Sequence, residues 1–217
     1  MSRGVGGVEY DRKRMEATKR KLIETAYKLF CENAIDPASF QKIADMCDVS
    51  IATVFRYFPT KNDLVAEVSA WVWKQYIDRE SPVDWQNNTA AEILEMYLSE
   101  FIALYRNCKD LLRFNQFFNV YVQREGIPPD LMEPYFNVIE KVASMFHEIY
   151  EKAKIDGTVR TDIQENEMFS STLHLMLAAV TRYAVGLVYD GGTDPEQELR
   201  LLKDLLYSRF TVRRDET

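Results

Sequence analysis

Cysteine is scarce and unpaired: Cys31, Cys47 and Cys108 give an odd count without paired spacing, which excludes a disulfide framework and points to a reducing compartment. Eight glycines and seven prolines are few for a β-rich chain of 217 residues. The longest apolar run, Leu175 to Val180, cannot span a bilayer, and the N-terminus lacks the apolar core of a signal peptide. A cytoplasmic protein without a membrane partner is expected. Catalytic signatures are missing too: there is no G-x-S-x-G, no H-E-x-x-H, no phosphate-binding glycine loop and no Cys-x-x-Cys, and Gly4-Val-Gly-Gly7 does not follow a strand. No enzyme and no cofactor are expected. The two histidines, His147 and His174, fall on different predicted helices and neither is read as having a second ligand at i+4, so they are taken as core or surface histidines and no metal is expected.

Leu, Met, Glu and Lys fill long segments with helical spacing, and no segment has a strand pattern, which predicts an all-α fold. The formal net charge of −7 is the wrong sign for a nucleic-acid partner until the chain is divided. Residues 1–66 balance at +2 and residues 67–217 at −9, so only the first segment suits phosphate. Its excess is concentrated in Arg12, Lys13, Arg14, Lys19, Arg20 and Lys21. Residues 1–16 are read as a flexible basic arm, with Arg3 as a candidate for a minor groove and a solvated tail as the alternative.

Ser39 to Leu64 organises the rest. Phe40, Ile43, Ala44 and Cys47 form one apolar stripe, and Val54 with Phe58 a second, which predicts two short helices. Ser39 and Ser50 can cap them, and Asp48 tolerates the left-handed conformation needed between them. Since Val54 and Phe58 face inward, Ile51, Ala52, Thr53, Arg56 and Tyr57 are left outside, with chemistry suited to base edges and phosphates. Thr60 to Asp63 reads as a capping box that places Lys61 at a helix N-terminus, where phosphate is favoured.

From about Lys21 to Val68, and most specifically in SIATVFRYFPTKNDL, the chain resembles the DNA-binding domain of the TetR family of bacterial transcriptional regulators. A first helix ends in a Leu-Phe pair, Leu29-Phe30; a Ser-started helix follows; then comes a recognition helix closing on a Tyr-x-x-Phe pattern, here Phe55 to Phe58. The resemblance implies phosphate contacts from Ser39, Tyr57 and Lys61, and base or groove contacts from Ile51, Ala52, Thr53, Phe55 and Arg56. The chain departs from the pattern at Ala34, with Asn33 beside it to take up a left-handed residue, at Asp48, and at Phe55, which lacks a hydroxyl.

The expected organisation is a helix-turn-helix domain over 17–66 and a larger helical effector-binding and dimerisation domain over 67–217. Helical patterns run through Leu64 to Asp78, Ile93 to Leu104, Leu111 to Val122 and Val138 to Ile149; Asp194 with Pro195 starts a last helix. The segment 169–189 is apolar almost all round, which requires cover all round. A homodimer through Val180, Leu187, Leu199, Leu202, Leu206 and Phe210 is the expectation. Trp71, Phe114, Phe118, Tyr121, Met176 and Tyr183 are the candidates for an effector pocket. The function expected is repression at a palindromic double-stranded DNA operator, released by a small, largely apolar effector. The alternatives are an enzyme hidden in the helical domain and a helix-turn-helix protein that acts through a protein partner.

Overall fold

The computed structural model describes residues 5–79, 82–188, 192 and 194–212. Regular structure among them is helical: α1 (Val5–Asn33), α2 (Phe40–Cys47), α3 (Ile51–Tyr57), α4 (Lys61–Ile77), α5 (Ala90–Asn107), α6 (Lys109–Glu125), α7 (Glu133–Asp156), α8 (Glu165–Thr172), α9 (Ala178–Ala184) and α10 (Pro195–Phe210). A π-helical turn, Leu173–Leu177, joins α8 to α9. No helix among the described residues is long and apolar enough to cross a membrane. Two compact units emerge, Met1–Tyr76 with Phe117–Phe136, and Ile77–Gln116 with Asn137–Thr217, so α4, α6 and α7 each contribute to both.

In the first unit, α1 begins at Val5, which corrects the expectation of a flexible arm over 1–16. Glu9 pairs with Arg12 and Lys13, and Arg12 with Glu16, at the i,i+3 and i,i+4 spacings that favour a helix. Arg3 lies outside the described residues. The helix ends in a left-handed residue, which is Ala34 itself (φ 62°) and not Asn33. Ser39 then caps α2 by accepting from Lys42 N, and Ser50 caps α3 by accepting from Thr53 N, each at 3.2 Å. Asp48 takes the left-handed position between them (φ 55°). The two serines thus satisfy amides that the helices leave open, and the inward faces close over Leu22, Phe30, Ile43, Val54 and Phe58, all fully buried. Phe40 is only half-buried and packs edge-on to Phe55 at 5.1 Å.

In the second unit, α5 starts with a reciprocal capping box in which Thr89 N and Oγ1 both donate to Glu92 at 2.7 Å. Tyr97 packs on Phe146, and Phe146 on Phe169, at 5.6 and 5.5 Å between ring centres. Arg106 holds Glu196 at 2.6 Å and Lys203 holds Glu95 at 3.1 Å, tying α10 to α5. At the start of α10 Asp194 occupies the cap position and Pro195 follows it, but the Asp194 side chain makes no capping hydrogen bond; its carbonyl accepts from Gln197 N at 2.9 Å.

The segment expected as one apolar helix over 169–189 runs as a helix from Glu165 to Ala184 through the π turn. Met168, Thr172, Met176, Val180 and Ala184 are buried at a strict interval of four. In an unbroken α-helix such a stripe would drift by about 40° per step. The wider π turn takes up part of that drift and keeps the stripe against the core. Most of the side chains expected at a dimer face are therefore turned inward within the chain. Val180, Leu199, Leu206 and Phe210 are covered by their own unit, whereas Leu201, Leu205, Leu175, Leu187 and Val188 are exposed. Leu202 is intermediate.

Candidate nucleic-acid interface

The helix α3 has two unlike faces. Val54 is fully buried and Phe58, just past the last turn, is buried with it. That fixes the roll of the helix and turns Ile51, Ala52, Phe55 and Arg56 outward, with Thr53 and Tyr57 intermediate. Ile51 and Phe55 are exposed apolar side chains on a helix too short to be stable alone. Arg56 lies 5.4 Å from the Tyr57 ring and makes no salt bridge among those found for the described residues, so its five donors remain available to a ligand. Thr53 is partly committed, since its hydroxyl lies 2.9 Å from that of Ser50.

Around this helix, Asp63 Oδ2 accepts from Thr60 N and Thr60 Oγ1 at 2.7 Å, and Thr60 Oγ1 accepts from Asp63 N, closing the capping box at α4. Ser39 is exposed beside the α2 N-terminus. Lys61 stands where a phosphate contact is expected, but its Nζ donates to the carbonyl of Asp36 at 2.8 Å. Burial lowers its pKa, and the Asp36 carboxylate works in the opposite direction. Lys61 is therefore a local brace that must turn outward to meet a phosphate.

Three contacts here escape a reading of local pattern. Lys21 Nζ donates to the Cys47 carbonyl at 2.7 Å, a cation closing the C-terminus of α2. Arg124 in α6 donates to both carboxylate oxygens of Asp36 and holds its pKa below the ordinary value. Tyr121, one turn earlier, donates to Asn62 Oδ1 at 2.8 Å in the first turn of α4. Burial raises the pKa of that phenol, so it remains a donor.

The pocket candidates are distributed over both units. In the first, Trp71 packs edge-on to Tyr27 at 5.9 Å, Phe118 is buried against Tyr135 at 5.0 Å, and Tyr121 is spent on Asn62. These contacts make Trp71 and Tyr121 braces of the helix-turn-helix. In the second, Phe114 and Met176 are fully buried, and Tyr183 hydrogen-bonds Glu198 with its pKa pushed up to about 12, first by burial and then by that carboxylate. A separate cavity of about 250 Å³ in the first unit is lined by Tyr57, Phe58, Asp63, Glu67, Asp130 and Glu133 among others. It is acidic, and two of its carboxylates are already engaged, Asp63 by Thr60 and Glu67 by Lys19 at 2.8 Å.

Comparison with known proteins agrees with this geometry. The family model described as "Bacterial regulatory proteins, tetR family" matches residues 22–68. Over 67 residues, 30% of this chain, the sequence is 43% identical to the HTH-type transcriptional regulator LuxR of Vibrio harveyi; the match takes in 33% of that protein, so the chain spans about a third of this relative's length. A transcriptional regulator from Saccharomonospora viridis, solved in complex with choline, superposes with a TM-score of 0.72 at 20% identity, over 91% of this chain and 100% of that one. FadR from Bacillus subtilis, solved in complex with stearoyl-CoA, gives 0.68 at 19% identity, over 87% and 97%. At these identities the two structures establish the fold.

Proposed function

We propose that this chain is a regulator of the tetR family, whose model its residues 22–68 match, that it represses transcription as a homodimer at a palindromic operator, and that it is released by a small, largely apolar effector. The family is one of DNA-binding regulators rather than enzymes, and the observation that carries the reading is α3. Its inner face is sealed by Val54 and Phe58 while Ile51, Ala52, Phe55 and Arg56 are exposed on the outer face of the first unit's helix-turn-helix. Arg56 suits the paired acceptors of a guanine, and the aliphatic positions suit thymine methyl groups. Ser39 and Tyr57, and Lys61 once it leaves the Asp36 carbonyl, are the side chains to meet the flanking phosphates, in the manner of backbone contacts that set register.

Dimerisation is supported by the exposed leucines of α10, Leu201 and Leu205, together with Leu175, Leu187 and Val188. An effector of apolar character is favoured by the weight of aromatic and Met side chains in the larger unit and by the stearoyl-CoA of the FadR structure; the choline of the other relative would favour a cation. DNase I footprinting on the DNA upstream of the protein's own gene, repeated over a range of salt, tests the reading. Protection of two half-sites, with affinity that falls steeply as salt rises, is the expected result. Salt-insensitive binding without protection would favour the protein-partner alternative instead.

A further inference from the structure

We propose that His147, Glu151 and Glu165 form a binding site for a divalent cation of the Zn²⁺ class on the second unit. His147 and Glu151 are four residues apart on α7, so they share a face one turn apart, which the sequence reading of His147 overlooked. Glu165 opens α8 and reaches the same spot: both its carboxylate oxygens lie 3.1 Å from His147 Nδ1. One ligand atom from each of the three residues falls within 4.8 Å of the other two. Bonds of about 2.0–2.2 Å to a tetrahedral Zn²⁺ require donors about 3.3–3.6 Å apart. Rotation of the half-exposed Glu151 side chain closes the remaining gap, and water completes the shell.

The donor set selects the ion. Two carboxylates alone would suit Mg²⁺ or Ca²⁺ and be no more than an acidic patch; the imidazole shifts preference toward Zn²⁺ and its neighbours in the series. The third ligand is also held in place. Between α7 and α8, Tyr150 Oη donates to the carbonyls of Thr161 and Ile163 at 3.1 and 2.9 Å. Val159 bridges to Thr211, and Arg160 N donates to the Phe210 carbonyl at 2.7 Å. Glu165 therefore enters from a segment anchored on both sides, which lowers the ordering cost of chelation. One competitor is built in: Lys154 donates to Glu151 and has to leave when a cation arrives. A bound ion would clamp the C-terminal half of α7 to the first turn of α8.

The test is calorimetric titration of the untagged full-length chain with ZnCl₂ above the ordinary imidazole pKa of about 6.5, alongside thermal melts. The expected result is one Zn²⁺ per chain, weakened by on the order of tenfold or more in His147→Ala and in Glu165→Gln. Lys154→Met should tighten binding by freeing Glu151. Glu167→Gln, an exposed carboxylate outside the cluster, should leave it unchanged, and Zn²⁺ should raise the melting temperature of wild type but not of His147→Ala. Zn²⁺ affinity equal in wild type and His147→Ala would place the ion elsewhere on the chain and overturn the proposal. So would the absence of binding at millimolar Zn²⁺.

Discussion

Arg124, near the end of α6, grips the carboxylate of Asp36, 88 positions earlier in the loop between α1 and α2, with Nη1 2.7 Å from Oδ2. The carbonyl of the same Asp36 receives Lys61 from α4. One loop residue is thus held by two helices, through its side chain and its backbone.

The pair has a pH signature. Asp36 is held below its ordinary value of 3.8, first by the hydrogen bond from Arg124. A carboxylate with a depressed folded pKa stabilises the fold above its unfolded pKa, and that contribution is lost as pH falls through the folded value. Asp36→Asn should therefore unfold at slightly lower denaturant than wild type at neutral pH, and the margin should shrink with salt because the pair is exposed. The two unfolding curves should begin to approach each other below pH 3.8 and converge only as the pH falls through the lower folded value. A gap that persisted into acid would mean that Asp36 acts through packing and not through its charge.

Ala34 offers a local test of strain. A left-handed L-residue costs roughly 1–2 kcal/mol, and replacing it by glycine gives back roughly 0.4–1 kcal/mol through the freer unfolded chain. Ala34→Gly should then raise stability by about 1 kcal/mol, seen as an increase in melting temperature of roughly 2–4 °C for a chain of this size. A fall in melting temperature would show that the methyl group makes compensating contacts.

The helix-turn-helix could be read from sequence because its determinants are local: Ser39 and Ser50 cap amides three residues on, and Asp48 and the Thr60–Asp63 box act within one turn. Asp36 with Arg124, and Asn62 with Tyr121 at a separation of 59, are set by tertiary packing, on which periodicity is silent. The same limit explains Val180 and Leu206. Periodicity identifies an apolar position, but the other helices of the same unit decide whether the chain covers it. His147 with Glu151 was within reach of a local reading, since the two share a helix face, whereas the arrival of Glu165 was not.

The corrected exposure pattern separates dissociation from unfolding. Leu201 and Leu205 are 59% and 56% exposed on α10, so Leu201→Glu or Leu205→Glu adds a charge without burying it in the monomer. Each should convert the proposed dimer to a helical monomer. Val180 is 0% exposed, and a glutamate there must either take its charge into an apolar core or open it, at a cost of several kcal/mol. Val180→Glu should therefore lose helical signal as well as mass. Sedimentation velocity with circular dichroism distinguishes the two results, and a wild type that sediments as a monomer at micromolar concentration would remove the premise.

Reading of sequence and holding of backbone should separate between Arg56 and Lys61. Arg56 projects from the outer face of α3 with its guanidinium uncommitted apart from the neighbouring Tyr57 ring, and can present two parallel donors to a guanine. Arg56→Ala should cost about 1–3 kcal/mol per half-site and relax the preference at one base pair. Lys61 begins α4, bonded to the Asp36 carbonyl, and can reach a phosphate only by exchanging that bond. Its loss should weaken all sequences about equally and lower the salt slope by about one unit per phosphate contact. Selection on randomised half-sites, with a salt titration for each variant, measures both quantities. An unchanged slope in Lys61→Ala, with reduced affinity and reduced thermal stability, would identify Lys61 as a brace for the Asp36 loop and remove it from the phosphate contacts. Unchanged base preference in Arg56→Ala would shift readout to Ile51, Ala52 and Phe55, whose apolar surfaces discriminate by thymine methyl contact.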